Sequence, residues 1–366
     1  MQAISKNLEY WLEQQWPAPD HAVNNAFDSN QAQIEPLAMR RHVLPTARYF
    51  RITAGGVTLL VVDLSSGPEE TVPGSTAPVL HDDAANCFIA ALKMQVEAGL
   101  NSPQIIAQEA QQGFLLLSDL DGETYLQALV KGVDARSLLD PAGAALIRWQ
   151  QWRPNVAINA LPTIDAARLT QELHGFADFY LAKHLGLALN EGQQKILAQI
   201  FSTITTANLG QQQTLVHGDF VLENLLVCQP APALRPSTGA AFGPISLDIA
   251  SLYKDAFLSF EEEPLLDGTI RYWEKAKKTG LPVPADFGDF YRDVEWMGLQ
   301  RHIYLLGAFA RQHQLDGDTR YINDALRFLR YIRRTGERYT ALFPLVRLLD
   351  ALKIDDGLMR KVGVSF

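Results

Sequence analysis

An α+β fold in two lobes is what this sequence predicts, with a small β-rich N-lobe over residues 1–120 and a larger, mainly helical C-lobe over 121–366. Three observations predict it. Two β-rich runs flank Gly55-Gly56, helical periodicity dominates after Thr124, and one short loop bounded by apolar runs, residues 215–227, interrupts the helices.

The elements follow in order. Ile4, Leu8, Trp11 and Leu12 recur at helical spacing over residues 3–15, and Pro17 ends that helix. A polar stretch runs to about residue 34. Arg48-Tyr49-Phe50-Arg51-Ile52 and Val57-Thr58-Leu59-Leu60-Val61-Val62-Asp63 around Gly-Gly form a hairpin. Residues 65–78, rich in Ser, Gly, Pro and acidic residues, read as an exposed loop. Residues 86–98 form a helix with Gly99 at its C-terminal cap. Gly113-Phe114-Leu115-Leu116-Leu117-Ser118-Asp119-Leu120 is a buried strand running into a polar turn. Helices extend from Thr124 to Leu209, with a Pro-punctuated break near residues 154–163. After residue 245 the helical pattern returns at Trp296, Leu299, Ile303 and Leu306, and again at Ile322, Leu326 and Leu329.

Composition narrows the function. A chain of 366 residues, 47% hydrophobic, buries a substantial core, and its formal charge of −9 argues against a nucleic-acid groove or an anionic membrane as partner. A local cationic pocket for one nucleotide stays compatible with that charge. Cys87 and Cys228 are too few for a disulfide framework or a cysteine zinc site, so both are expected to be buried and the protein to be cytoplasmic. Charged residues interrupt the N-terminal apolar pattern, and no segment is long enough for a membrane span.

The chemistry concentrates in Leu215-Val216-His217-Gly218-Asp219-Phe220-Val221-Leu222-Glu223-Asn224-Leu225-Leu226-Val227. Phosphoryl transfer from ATP needs a carboxylate to receive the proton of the attacking hydroxyl and an amide oxygen to hold Mg2+. Asp219 is the candidate base, Asn224 the candidate metal ligand, and His217 the residue expected to hold the loop's shape. The alternative is a polar turn between buried strands.

Hairpin, helix, strand, helices and then this loop is the element order of a protein-kinase-like fold. With these residues the chain resembles the phosphotransferase enzyme family of aminoglycoside and choline kinase-like proteins, and within it the bacterial kinases that phosphorylate N-acetylmuramate and N-acetylglucosamine at the anomeric hydroxyl. The similarity is collinear over nearly the whole chain. It includes Arg48 to Arg51, Gly113 to Leu120, Glu172-Leu173 through His184-Leu185, Gly243-Pro244-Ile245-Ser246 with Asp248, Ser251-Leu252 and Asp255, Gly288 to Asp293, Glu295 to His302, and Tyr331 to Thr335. The resemblance implies ATP and Mg2+ as cofactors, an amino sugar as acceptor and a place in peptidoglycan recycling. A monomer is expected. The resemblance also puts Ser118, Asp119 and Leu120 near the adenine and makes Asp248 a brace for the catalytic loop. Trp296, Gln300 and Arg301 would line the acceptor pocket; the alternatives are helix packing for Trp296 and a solvated face for the other two.

Two segments depart from the family pattern. Members of this family carry a second magnesium carboxylate, an Asp on a strand shortly after the catalytic loop, yet residues 228–242 hold no acidic residue. The nearest carboxylate is Asp248. Asp286-Phe287-Gly288 spells a kinase magnesium motif but lacks the strand that should precede it. The turn expected to cover the phosphates, residues 39–47, has no Gly, although Gly is what lets backbone amides approach phosphate closely. No Lys lies on the hairpin, so Arg48 and Arg51 become the candidate phosphate contacts, with solvated strand-edge charges as the alternative. Both odd segments are short and compositionally unlike their flanks, as a local shift of reading frame or relaxed selection would leave them. Two readings follow: a working sugar kinase, and a catalytically impaired pseudokinase that keeps nucleotide or sugar binding.

Overall fold

The structure, a computed structural model, describes residues 4–16, 31–37, 48–65, 81–153, 161–229, 231–235, 239–254, 258, 260, 262–317, 319 and 322–354. The phosphate-covering turn expected at 39–47, the loop beyond Ser65 and most of the break near 154–163 lie outside these residues. The chain forms two compact units, Met1–Pro162 with His217–Ala240, and Thr163–Val216 with Ala241–Phe366.

The first unit is built on a five-stranded antiparallel sheet. Its strands are β1 (Gln33–Leu37), β2 (Arg48–Ala54), β3 (Val57–Asp63), β4 (Ile105–Glu109) and β5 (Phe114–Ser118), in the order β1-β2-β3-β5-β4. The near-continuous apolar run of β3 has a simple cause: both faces of the sheet are covered. Leu59 and Val61 face Leu8, Trp11, Leu12 and Trp16 of helix α1 (Lys6–Gln15) and its C-terminal cap, whereas Leu60 and Val62 face Phe88, Ile89 and Leu92 of α2 (His81–Glu97). Each such fully buried side chain contributes about 1.5–3 kcal/mol of transfer free energy. The hairpin and the helix at 86–98 form as expected, and Gly99 closes α2 with φ +72°. Strands β1 and β4 were not expected. Pro36 and an exposed pattern hide β1, and a bulge between Ile105 and Ala107 breaks the alternation of β4.

Helices α3 (Tyr125–Val130) and α4 (Ala135–Gln151) complete the helical part of this unit. A capping box between Thr124 and Gln127 starts α3. The catalytic loop belongs to the same unit. It is followed by β7 (Leu225–Leu226), paired antiparallel with β8 (Ala233–Leu234). Main-chain bonds from Leu126 N–H to Leu222 O (3.2 Å) and from Val227 N–H to Glu123 O (2.8 Å) fasten the loop to the start of α3.

The second unit is mainly helical. It contains α5 (Ala166–Gly175), α6 (Glu191–Leu209), α7 (Leu247–Tyr253), α8 (Glu262–Lys278), α9 (Phe287–Asp316), α10 (Ala325–Arg338) and α11 (Phe343–Ala351), with β6 (Gln213–Val216) paired to β9 (Ala241–Pro244). Residues Phe176–His184 wind as a π-helix in direct continuation of α5. Its core is a run of buried apolar side chains that includes Leu173, Phe176, Ile204, Leu299, Ile303, Phe309, Phe328 and Leu345. Gly175 and Gly307 bring α5 and α9 together closely, since a Cβ on Gly307 would stand 2.3 Å from the Gly175 carbonyl carbon. Among the described residues no helix is long and apolar enough to cross a membrane.

Candidate active site

The catalytic loop owes its shape to a glycine. Gly218 has φ +77°, and a Cβ there would lie 2.1 Å from the carbonyl oxygen of Gly239, so both conformation and space demand glycine. His217 on one side is buried, its ring edge-on to Phe220 at 5.7 Å. Burial pulls its pKa down to about 4, against the raising effect of a backbone hydrogen bond with Asp219, so the ring is neutral at physiological pH and acts as a packed strut.

Asp219 on the other side is 7% exposed and Asn224 4%. The Asn224 amide nitrogen donates to the Asp219 carboxylate Oδ2 at 2.7 Å and to the Asp219 carbonyl at 3.0 Å, while Val221 N–H bonds to the same carbonyl and Asn224 N–H bonds to Val221 O. One side chain thus fixes both the turn and the orientation of the carboxylate. A base held this way meets its substrate without first reorganising. Tyr49 of β2 joins the surroundings. Burial, reinforced by the Asp219 charge, pushes its phenol far above the usual range, so it stays protonated.

Arg48 and Arg51, both on β2, are tied within the unit. Arg48 pairs across the hairpin with the buried Asp63, whose other oxygen accepts from the backbone and hydroxyl of Ser65. Arg51 grips Asp119 through Nε at 2.9 Å and Nη2 at 3.4 Å, and reaches Asp121 at 3.2 Å. Neither is a plain solvated strand-edge charge. Ser118 ends β5, and its hydroxyl accepts from Gln104 N–H at 2.9 Å; Asp119 and Leu120 follow directly. The structure therefore gathers Arg48, Arg51, Ser118, Asp119, Leu120, His217, Asp219 and Asn224 in one unit.

Asp248, Trp296, Gln300 and Arg301 belong to the other. Asp248 is fully buried in the first turn of α7, next to Ser246, whose hydroxyl donates to Gln211 Oε1 at 2.6 Å. Trp296, Gln300 and Arg301 are all buried on α9, which removes the solvated-face alternative. Gln300 donates to Leu169 O at 2.9 Å, and with Arg168 and Arg301 it surrounds Glu172, whose pKa burial raises and these three partners lower. Trp296 packs edge-on against Tyr339 at 5.8 Å. Beside it Glu295, 3% exposed, receives Arg338 at 2.7 Å and the Tyr339 hydroxyl at 2.5 Å, and lies 3.9 Å from Lys254 Nζ, whose pKa burial lowers to about 8. Asp286 serves as the N-cap of α9, accepting from Asp289 N–H at 3.2 Å, so its motif has a structural explanation. Cys228 is exposed rather than buried, because the chain leaves the core two residues past β7; Asn101 donates to its sulfur at 3.3 Å.

A divalent cation asks for a near-octahedral oxygen set with one or two carboxylates. Asn224 has one amide oxygen to offer, and among the described residues no group of three or more His, Cys, Asp and Glu side chains is arranged to hold a metal ion. The residue facing Asn224 across the short sheet is Arg235, whose N–H bonds to Asn224 O at 2.9 Å. This donor set does not fit the two-magnesium arrangement of a kinase. Arg235 and Tyr49 were not singled out in the sequence; the acid-free interval 228–242 was the signal available for the first, and nothing marked the second.

A sheet unit whose connector strand leads toward a buried acid on a His-Gly-Asp loop, together with a helical unit, is the layout of kinase-like phosphotransferases. The family model of the phosphotransferase enzyme family matches residues 47–287, and the chain belongs to that family. A protein of Pseudomonas aeruginosa named N-acetylmuramate/N-acetylglucosamine kinase is 37% identical over 305 residues, 83% of this chain and 85% of its own. A protein of the same name from Neisseria meningitidis is 39% identical over 270 residues, 73% and 79% respectively. Solved structures agree in fold. A choline kinase from Cryptosporidium parvum superposes with a TM-score of 0.56 at 12% identity, covering 93% of this chain and 98% of that one. The GDP complex of aminoglycoside 2'-phosphotransferase-IIIa does so with a TM-score of 0.56 at 16% identity, covering 92% and 100%.

Proposed function

We propose that this chain is an ATP-dependent kinase that phosphorylates the anomeric hydroxyl of N-acetylmuramate or N-acetylglucosamine, in the cytoplasm, as part of peptidoglycan recycling. The observation that carries the reading is the agreement in name of relatives that are 30–39% identical over most of the chain. The site supports it: Asp219 is a carboxylate held ready by Asn224, suited to receive the proton as the sugar hydroxyl attacks the γ-phosphorus. Ser118 to Leu120 contribute the adenine side, and Arg48 and Arg51 are the cationic side chains that β2 offers to the phosphates. Asp248 braces, and Trp296, Gln300 and Arg301 stiffen the wall on the acceptor side. Mg2+ supplies charge neutralisation when bound in kinases of this fold.

The test incubates the protein with ATP, Mg2+ and each sugar separately. Loss of reducing-end reactivity with stoichiometric ADP is expected for at least one sugar. ADP release without loss of the reducing end would move the acceptor atom away from the anomeric hydroxyl, and no ADP release with either sugar would sink the assignment.

A further inference from the structure

Phosphates bound between the connector and Asp219 bring negative charge to a site whose second metal carboxylate is missing from the sequence. What the chain offers there instead is Arg235. The ladder Leu226↔Ala233 and Leu225↔Leu234 continues by one bond, Arg235 N–H to Asn224 O at 2.9 Å, so Arg235 stands opposite Asn224. Directly opposed residues of an antiparallel pair present their side chains on the same face, with Cβ atoms about 5 Å apart. The guanidinium thus leaves the sheet on the side of the Asn224 amide, and its Nη1 lies 3.4 Å from Glu223 O.

Its electrostatic surroundings reach further. Burial is the largest influence on Arg235, followed by the charges of Glu223, Arg51 and Asp119. Arg51 and Asp119 are themselves paired at the end of the connector strand. A partly desolvated cation beside the catalytic loop is therefore within electrostatic reach of the Arg51–Asp119 pair at the end of the connector strand. A divalent ion at Asn224 would meet this positive charge across the strand pair.

We propose that Arg235, with Arg51, binds the nucleotide phosphates in the position that kinases of this fold give to a metal ion, so that this chain binds ATP and ADP with little dependence on Mg2+. The proposal rests on the phosphotransfer reading above. Guanidinium suits the role because its fixed fork of N–H donors matches phosphate oxygens two at a time.

Calorimetric titration of the full chain with ATP and with ADP, in Mg2+ and in EDTA, tests it. Affinities within about threefold of each other in the two conditions are expected. Arg235→Gln should weaken ATP by about tenfold or more in EDTA, the usual loss for a charge-assisted hydrogen bond, and Arg235→Lys should recover part of it. Circular dichroism and the unfolding midpoint of each variant identify misfolding; a misfolded Gln variant leaves the comparison of Mg2+ with EDTA and the Lys variant to decide. ATP binding that disappears in EDTA, or that is unaltered in Arg235→Gln, overturns the inference, the former pointing to a bound metal ion, and leaves phosphotransfer standing. No binding of either nucleotide under any condition overturns both.

Discussion

The catalytic loop and the short strand paired against it differ in where their chemistry resides. Side chains dominate in His217–Asn224, which combines a buried neutral ring, an obligatory glycine, a carboxylate, and an amide that bonds twice to the residue it positions. In Ala233–Arg235 the main chain is intact, with ladder pairs to Leu225 and Leu226 and a further bond to Asn224, but the side chains carry no acid. The lesson is that hydrogen-bonded strand pairing constrains side-chain chemistry weakly. A hydrophobic and a backbone requirement suffice to keep β8 in place.

The sharpest way to break this comparison is Asp219→Asn. The substitution preserves shape and removes the acceptor of the proton, so kcat should fall by about 10²–10⁴ while calorimetric ATP binding changes little. Turnover within tenfold of the parent would remove Asp219 from the role of base. Gly218→Ala comes next, because it drives a Cβ into the Gly239 backbone at a positive φ. It should cost about 3 kcal/mol or more in urea unfolding, whereas Gly132→Ala, at φ +92° with nothing within 4 Å of the added carbon, should cost only about 1–2 kcal/mol. Equal losses would show that φ alone matters at Gly218.

Leu234→Ala probes the partner strand. Its side chain is 1% exposed, and truncation should destabilise by about 3 kcal/mol. A negligible loss would mean that β8 contributes no packing to the loop. Acid has the smaller effect per side chain. His217, with a pKa drawn down to about 4, and His302 in the helical unit, drawn down to about 3 mainly by burial and next by Lys254, are both neutral in the fold. Their unfolded forms take up protons near pH 6.5, so the stability these rings supply is complete above that value and declines as pH falls through 6.5 toward 4 for His217 and 3 for His302. Going from pH 7 to pH 5 should cost about 2 kcal/mol from each, and His217→Gln should remove its share of the slope in denaturant titrations.

Much of this was legible in the sequence. The Gly55-Gly56 hairpin, the buried connector and the loop were visible because glycine placement and unbroken apolar runs report directly on turns and two-sided burial. Strand β1 was hidden because an edge strand with Pro36 buries too little to enforce alternation, and the π-helix at 176–184 because its backbone hydrogen bonds leave no compositional mark. Within the site, His217, Asp219 and Asn224 were readable as one contiguous motif. The neighbours Tyr49 and Arg235 were not, since they approach the loop from β2 and from beyond β8, and only the acid-free interval 228–242 hinted at the second.

The crossing of Gly218 with Gly239 has a consequence for inheritance. Where two stretches of backbone touch, the contact does not register which side chains lie between them, provided a glycine survives at each end. Drift outside the buried pair Ala233 and Leu234 can therefore accumulate before Gly239 without displacing the base. The seat of Asp219 is then inherited with the two glycines rather than with the side chains between them.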